Sequence, residues 1–160
     1  RPLAIHVRGH QAKTKVLEGD LSDMLFHFDR ILIEGAVAPF ELTQLLEKYH
    51  VKKIITEHST ENSGLRFIKS NKHQLIVNAF EDDGVPVWNV PVTDKTIGFR
   101  GFTTADNMEK SLQFLVENAP GCWWIEVEDL LRTDDWFDAQ RANELFMKFL
   151  SATSPIRRGI

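Results

Sequence analysis

The chain has 160 residues, 42% hydrophobic and 26% charged, which suits one globular domain with a real core. Its net charge of -4 argues against a protein that coats nucleic-acid phosphates, though not against one that grips a single phosphodiester. One cysteine, Cys122, excludes an intrachain disulfide and a cysteine-built zinc site, and no apolar run approaches the ~20 residues that span a bilayer.

Cysteine usage of this kind fits a reducing, intracellular (cytoplasmic) setting. No signal-peptide core opens the chain. It begins at Arg1 rather than Met, as a processed product or a piece of a longer protein would.

In chain order, Leu3 to Val7 reads as the first strand, and a polar loop follows from Gly9 to about Lys15. Asp20 can cap a short helix from Leu21 to Phe28, where Leu21, Met24, Leu25 and Phe28 share a face. Ile31 to Ile33 is the second strand. Pro39 suits the first turn of a helix whose buried stripe is Leu42, Leu45, Leu46 and Tyr49. Val51 to Thr56 is the third strand. The segment from Lys72 to Asp83 reads as a helix or as a strand over Gln74 to Phe80. Helix is favoured, because Leu75, Ile76, Ala79 and Phe80 share one face, Gly84 can stop it, and Val85 to Val90 follows at once as a strand with Pro86 at its start.

Asp94 to Thr104 then reads as a loop. Thr104 caps a helix carrying Met108, Leu112, Leu115 and Val116, which Asn118-Ala119-Pro120-Gly121 ends. Cys122 to Val127 is a fifth strand. Thr133-Asp134-Asp135 starts a last helix with the stripe Ala142, Leu145, Phe146 and Phe149. The order predicts a three-layer α/β fold: a mostly parallel, doubly wound (Rossmann-like) sheet with flanking helices. One domain covers residues 1–150, and 151–160 form a tail or linker.

The polar residues cluster where the apolar runs end. Ile5-His6-Val7 runs into Arg8-Gly9-His10, Ile31-Leu32-Ile33 into Glu34-Gly35, and Ile54-Ile55-Thr56 into Glu57-His58-Ser59-Thr60. Ligands of open α/β sheets bind beyond the carboxyl ends of the strands. Glu34, Glu57 and Asp94 are therefore expected to meet at one rim and to hold Mg²⁺ or Mn²⁺, which prefer oxygen ligands. His58 would act as a base or as a further ligand, and Lys95 would assist by neutralising a phosphate. Arg8, His10 and Arg100 would meet a phosphate, with Ser59, Thr60 and Asn62 as further binding groups. The competing reading makes the acids solvated or helix-capping, with Arg8 paired to one of them.

Some patterns go no further. His58-x-Thr60 resembles half of the signature of two-histidine phosphoesterases, but no second copy exists. Ile31-Leu32-Ile33-Glu34-Gly35 faintly resembles the opening of a toprim domain, which would next want Asp-x-Asp. The nearest run, Glu81-Asp82-Asp83, has Glu in the first place. The strand-and-helix rhythm from Phe28 to Val92 is similar to the antenna domain of photolyases, without a chromophore motif. No glycine fingerprint for a nucleotide is present, so no organic cofactor is expected. Phe99 and Phe102 flank Arg100 in a loop that could stack a base or fold onto the core.

Two functions follow. One is a metal-assisted phosphoester or phosphodiester hydrolase, with nucleic acid among its candidate substrates. The other is a non-catalytic interaction or assembly domain that presents Trp124, Trp136 or the last helix to a protein partner. Neither involves a membrane.

Overall fold

The computed structural model describes residues 2–82, 85–101, 108–119, 121–127, 129–134 and 136–153. Asp83, Gly84, Phe102, Thr104, Pro120, Asp135 and the tail after residue 153 lie outside them.

The elements run β1 (Ala4–Val7), α1 (His10–Glu18), α2 (Ser22–Leu25), β2 (Arg30–Ile33), α3 (Pro39–Lys48) and β3 (Lys53–Glu57). A 3-10 turn (Ser63–Phe67) leads to β4 (His73–Asn78), β5 (Phe80–Asp82), β6 (Val85–Val87) and β7 (Ile97–Arg100). Then come α4 (Met108–Asn118), β8 (Trp123–Ile125), a 3-10 turn (Asp129–Leu131), β9 (Arg132–Thr133), β10 (Trp136–Phe137) and α5 (Ala139–Thr153). The fold is α/β: a mostly parallel, Rossmann-like sheet of six strands with flanking helices, ordered β1-β2-β3-β4-β7-β8. β1 to β4 pair in parallel and in chain order, so no order reversal falls among them. β5 with β6, and β9 with β10, form separate antiparallel pairs.

The chain divides into two compact units, residues 1–77 with 91–98 and residues 78–90 with 99–160. In the first, Val7, Ile31, Ile33 and Ile54 present one sheet face to Val16 of α1, Leu25 of α2, Leu42 and Leu45 of α3, and Leu65. Tyr49 closes this layer, its hydroxyl donating to the Val16 carbonyl at 2.8 Å. In the second, Trp88 and Phe99 are buried and meet edge to face with centroids 5.9 Å apart. Trp123 meets Phe99 at 6.4 Å. Phe99 thus belongs to the core rather than to a base-stacking loop.

Several expected elements are corrected. Residues 10–15 are helical, not loop, because Ala12, Val16 and Leu17 give α1 an apolar edge against the core. Gly19, at φ 96°, stops α1 in the left-handed region that only glycine enters freely. Asp20 caps nothing: α2 is four residues long and has no side-chain cap. Residues 73–78 form a strand, not a helix. His73 through Val77 are all buried, and a strand covered on both faces loses its alternation. The stretch read as the loop 94–104 contains β7, with Ile97, Gly98 and Phe99 buried. The strand expected over 85–90 shortens to β6 and pairs only with β5. The last helix begins at Ala139, and Asp138 caps it by accepting from the Gln140 and Arg141 amides at 3.0 Å.

Gly101 bears most directly on packing in the second unit. It sits at φ +103°, and a Cβ there would fall 2.7 Å from the Ala79 Cβ. Gly101→Ala is expected to cost about 1–3 kcal/mol in urea unfolding. Gly64→Ala, where a Cβ meets nothing within 4 Å, is expected to be near neutral.

Candidate functional site

Strand register builds the site. Val7, Ile33 and Thr56 are partners across β1, β2 and β3, and the Glu34 amide continues the ladder to the Val7 carbonyl at 3.1 Å. The next position on each strand is Arg8, Glu34 and Glu57, and Glu57 is opposite Ile76 of β4. Side chains alternate along a strand. Since Val7, Ile31, Ile33 and Ile54 pack on the helices, Arg8, Glu34 and Glu57 share the other face. One layer deeper on that face is the row His6, Leu32, Ile55 and Gln74.

The polar row is bonded. Arg8 Nε lies 2.9 Å and His6 Nε2 3.3 Å from the Glu34 Oε2 atom. The Glu57 Oε2 atom accepts from the Gly35 amide at 2.8 Å. Arg8 and Glu34 are 57% and 35% exposed, so their pairing adds only ~0–1 kcal/mol to stability. It can be exchanged for another partner at little cost. At the start of α1, which follows Arg8-Gly9, no side chain caps the helix amides.

Asn62 is central but is not placed to touch a ligand. It is buried, accepts from the Val37 amide at 2.9 Å, and donates to the Gly35 and Glu57 carbonyls at 2.9 and 3.0 Å. It ties the loop after β2 to the loop after β3, so Glu57 and the Gly35 amide are held in place. Lys13 holds the same loop from α1, donating to the Ala36 carbonyl at 2.8 Å and to Glu41 at 3.2 Å. Ser59 accepts from the Asn62 amide at 3.3 Å, a local turn bond. Thr60 is exposed, and its carbonyl accepts from the Ser63 hydroxyl at 3.0 Å. His10 is exposed as the first residue of α1.

Other expected members lie elsewhere. Alternation puts His58 on the helix-covered face, opposite to Glu57. Burial lowers its pKa, and the Arg66 charge lowers it further. Asp94 and Lys95 come before β7 rather than after a strand, so they lie at the amino edge of the sheet. There Lys95 Nζ donates to the Ile68 carbonyl at 2.6 Å, and its charge acts on His73, the first residue of β4. The expected trio of Glu34, Glu57 and Asp94 is therefore not one cluster. The physical reason is β7, which takes up part of the stretch expected to be loop and puts Asp94 before a strand. Arg100 ends β7 in the second unit and donates to Asn78 at 2.6 Å. Among the described residues, no group of three or more His, Cys, Asp or Glu side chains is arranged to hold a metal ion. Glu34 and Glu57 follow the paired ends of β2 and β3 on one sheet face, the Glu34 carboxylate at Arg8 and His6 and the Glu57 carboxylate at the Gly35 amide. His6, not among the candidate residues of the sequence analysis, lies beside Glu34, and its two-residue spacing from Arg8 is the signal that places both on one strand face.

No helix among the described residues is long and apolar enough to cross a membrane.

His73 gives the first unit a pH dependence. Its Nε2 meets the Thr56 hydroxyl at 2.9 Å, while its buried Nδ1 has no hydrogen-bond partner. Burial first, and the Lys95 charge second, lower its pKa from 6.5 to about 3. The neutral ring is thus favoured by folding. Its stabilisation is full above the unfolded value of 6.5 and is lost as pH falls from there toward about 3. Melting temperature should decline across that window, and His73→Gln should flatten the decline. An unchanged slope in the variant would exclude His73 as its source. Compared with known proteins, the chain matches no family model, no curated protein and no solved structure.

Proposed function

We propose that the carboxyl edge of β1, β2 and β3 binds and hydrolyses a phosphoester, using Mg²⁺ or Mn²⁺ held by Glu34 and Glu57. The observation that supports this most is the single row of Arg8, Glu34 and Glu57 on one face at neighbouring strand ends. Two carboxylates suffice for Mg²⁺, which completes its octahedron with water and substrate phosphate oxygens.

The geometry suggests an exchange of partners. A cation at Glu34 and Glu57 would compete with Arg8 for the Glu34 carboxylate. Arg8, once released, would take a phosphate oxygen as a charge-assisted bond. The uncapped amides of α1 would favour the same negative charge. A cation held by Glu34 and Glu57 would polarise a phosphoryl group and acidify water beside it. Hydrolysis would join a water oxygen to phosphorus and break the ester P–O bond, the alcohol leaving with a proton of that water.

A second reading, that of a protein-interaction domain, draws on Trp136, which is 80% exposed. Trp124 is half-buried and gives it less support.

The test is a melting and turnover assay with Mg²⁺ and Mn²⁺ on p-nitrophenyl phosphate and bis-p-nitrophenyl phosphate. Either cation should raise the melting temperature, as a ligand of the native state must. Glu57→Gln and Glu34→Gln should lower turnover by about a hundredfold or more, and Arg8→Ala should mainly raise KM. Absence of both a thermal shift and turnover, together with association that grows with protein concentration, would favour the interaction reading instead.

A further inference from the structure

Two basic side chains beyond the end of β3 carry polar atoms with nothing to bond. The His58 amide donates to the Ile76 carbonyl at 2.7 Å, which continues the β3–β4 ladder one residue past Glu57. His58 therefore keeps the alternation of the strand and lies on the helix-covered side, where Leu65 packs into the core. Leu65 is buried within the 3-10 turn of Ser63–Phe67, and its amide donates to the Asn62 carbonyl at 2.9 Å. This fixes the turn, and Arg66 is the next residue.

The Nδ1 atom of His58 and the Nε atom of Arg66 are both shut off from water, and both lack a hydrogen-bond partner. Such exceptions are few in native structures, and each calls for an explanation. Both residues are only half-buried, so the other ring nitrogen and the two terminal guanidinium nitrogens remain open to the surface. The Arg66 guanidinium lies over the exposed Phe67 ring, 4.7 Å from its centroid. That contact engages the flat side of the guanidinium and leaves its edge for an acceptor.

The charge is not neutralised locally. Among the described residues, no carboxylate pairs with Arg66. Glu57 is on the other sheet face and accepts from the Gly35 amide. Glu61, in the intervening loop, is exposed. The Arg66 charge reaches His58, and no carboxylate offsets it there. A local positive field in a chain of net charge -4 favours an anion. The guanidinium edge offers two parallel donors, and the imidazole adds a donor from a different residue. A planar carboxylate spends both oxygens on the fork. A tetrahedral oxyanion keeps another for the ring.

We propose that Arg66 and His58 hold a phosphate group, as inorganic phosphate or as the dianion of a phosphomonoester. The site lies on the opposite side of β3 from Glu57. It is independent of the phosphoester reading, which gives its phosphate to Arg8.

The test titrates the whole chain with inorganic phosphate and follows the backbone amide signals. A chelator removes divalent cations, so cation-assisted binding at Glu34 and Glu57 does not contribute. One phosphate per chain should saturate, with the largest shifts at His58, Ser59, Arg66 and Phe67. Arg66→Gln should weaken it about tenfold or more, and His58→Ala about threefold. Arg66→Lys keeps the charge but loses the fork, so its affinity should fall between those of the native chain and Arg66→Gln. Arg8→Ala should leave the affinity unchanged. Acetate at equal ionic strength should bind about tenfold more weakly. Methyl phosphate separates the two sources: tighter binding than inorganic phosphate assigns the site to a phosphomonoester, and equal or weaker binding assigns it to the free ion. Either result supports the site. Equal affinity for acetate, an unsaturable response, or shifts centred on Arg8 and Gly9 that Arg8→Ala removes would overturn the proposal. So would undiminished affinity in Arg66→Gln or, should that variant not fold, in Arg66→Lys.

Discussion

Everything proposed for the first unit depends on the parallel register of β1, β2 and β3. A slip of one residue in a strand exchanges its two faces. It would turn Glu34 toward the helices and Ile33 away from them. Magnitudes show what holds the register. Ile31, Ile33 and Ile54 are fully buried, and burying such side chains contributes ~1.5–3 kcal/mol each. The exposed Arg8–Glu34 pair contributes far less. The apolar rows therefore set the register, and the polar row is carried into line by them. This leaves Arg8 and Glu34 able to change partners without loosening the fold.

The loops after β2 and β3 add a second level of order. Asn62 is buried and bonded on both sides of its amide, so it joins two loops that would otherwise move separately. Losing a buried amide of this kind leaves donors and acceptors unpaired, each at a cost of ~1–3 kcal/mol. A residue with the chemistry of a ligand-binding group thus serves to position another. Glu57 has a dual part, since its carboxylate meets the Gly35 amide and its carbonyl meets Asn62. Any cation that takes Glu57 has to share it with that amide or replace it.

The strand ends near Val7, Ile33 and Thr56 are legible in the sequence because short apolar runs break sharply into polar clusters, although β3 runs one residue further, to Glu57. The placement of Arg8, Glu34 and Glu57 at neighbouring strand ends follows from that alone. The errors have physical causes. β4 is apolar without a break because both of its faces are covered, and such a run is ambiguous between helix and strand. Gly98 and the polar residues around Ile97 and Phe99 mask β7 in the sequence, and with it the fact that Asp94 and Lys95 precede a strand rather than follow one. α1 is short and polar apart from Ala12, Val16 and Leu17, and its apolar edge shows only when the core beneath it is known. His58 leaves the row of Glu57 because side chains alternate past the strand end.

The central claim is that a divalent cation binds between the ends of β2 and β3. Paramagnetic broadening of backbone amide signals by substoichiometric Mn²⁺ tests it most directly, since the effect falls steeply with distance from the ion. The account predicts early loss of the signals from Gly9, Glu34, Gly35 and His58, with Lys95 and Thr96 at the far edge spared. Broadening centred on Asp94 and Lys95, or spread evenly over the surface, would contradict it.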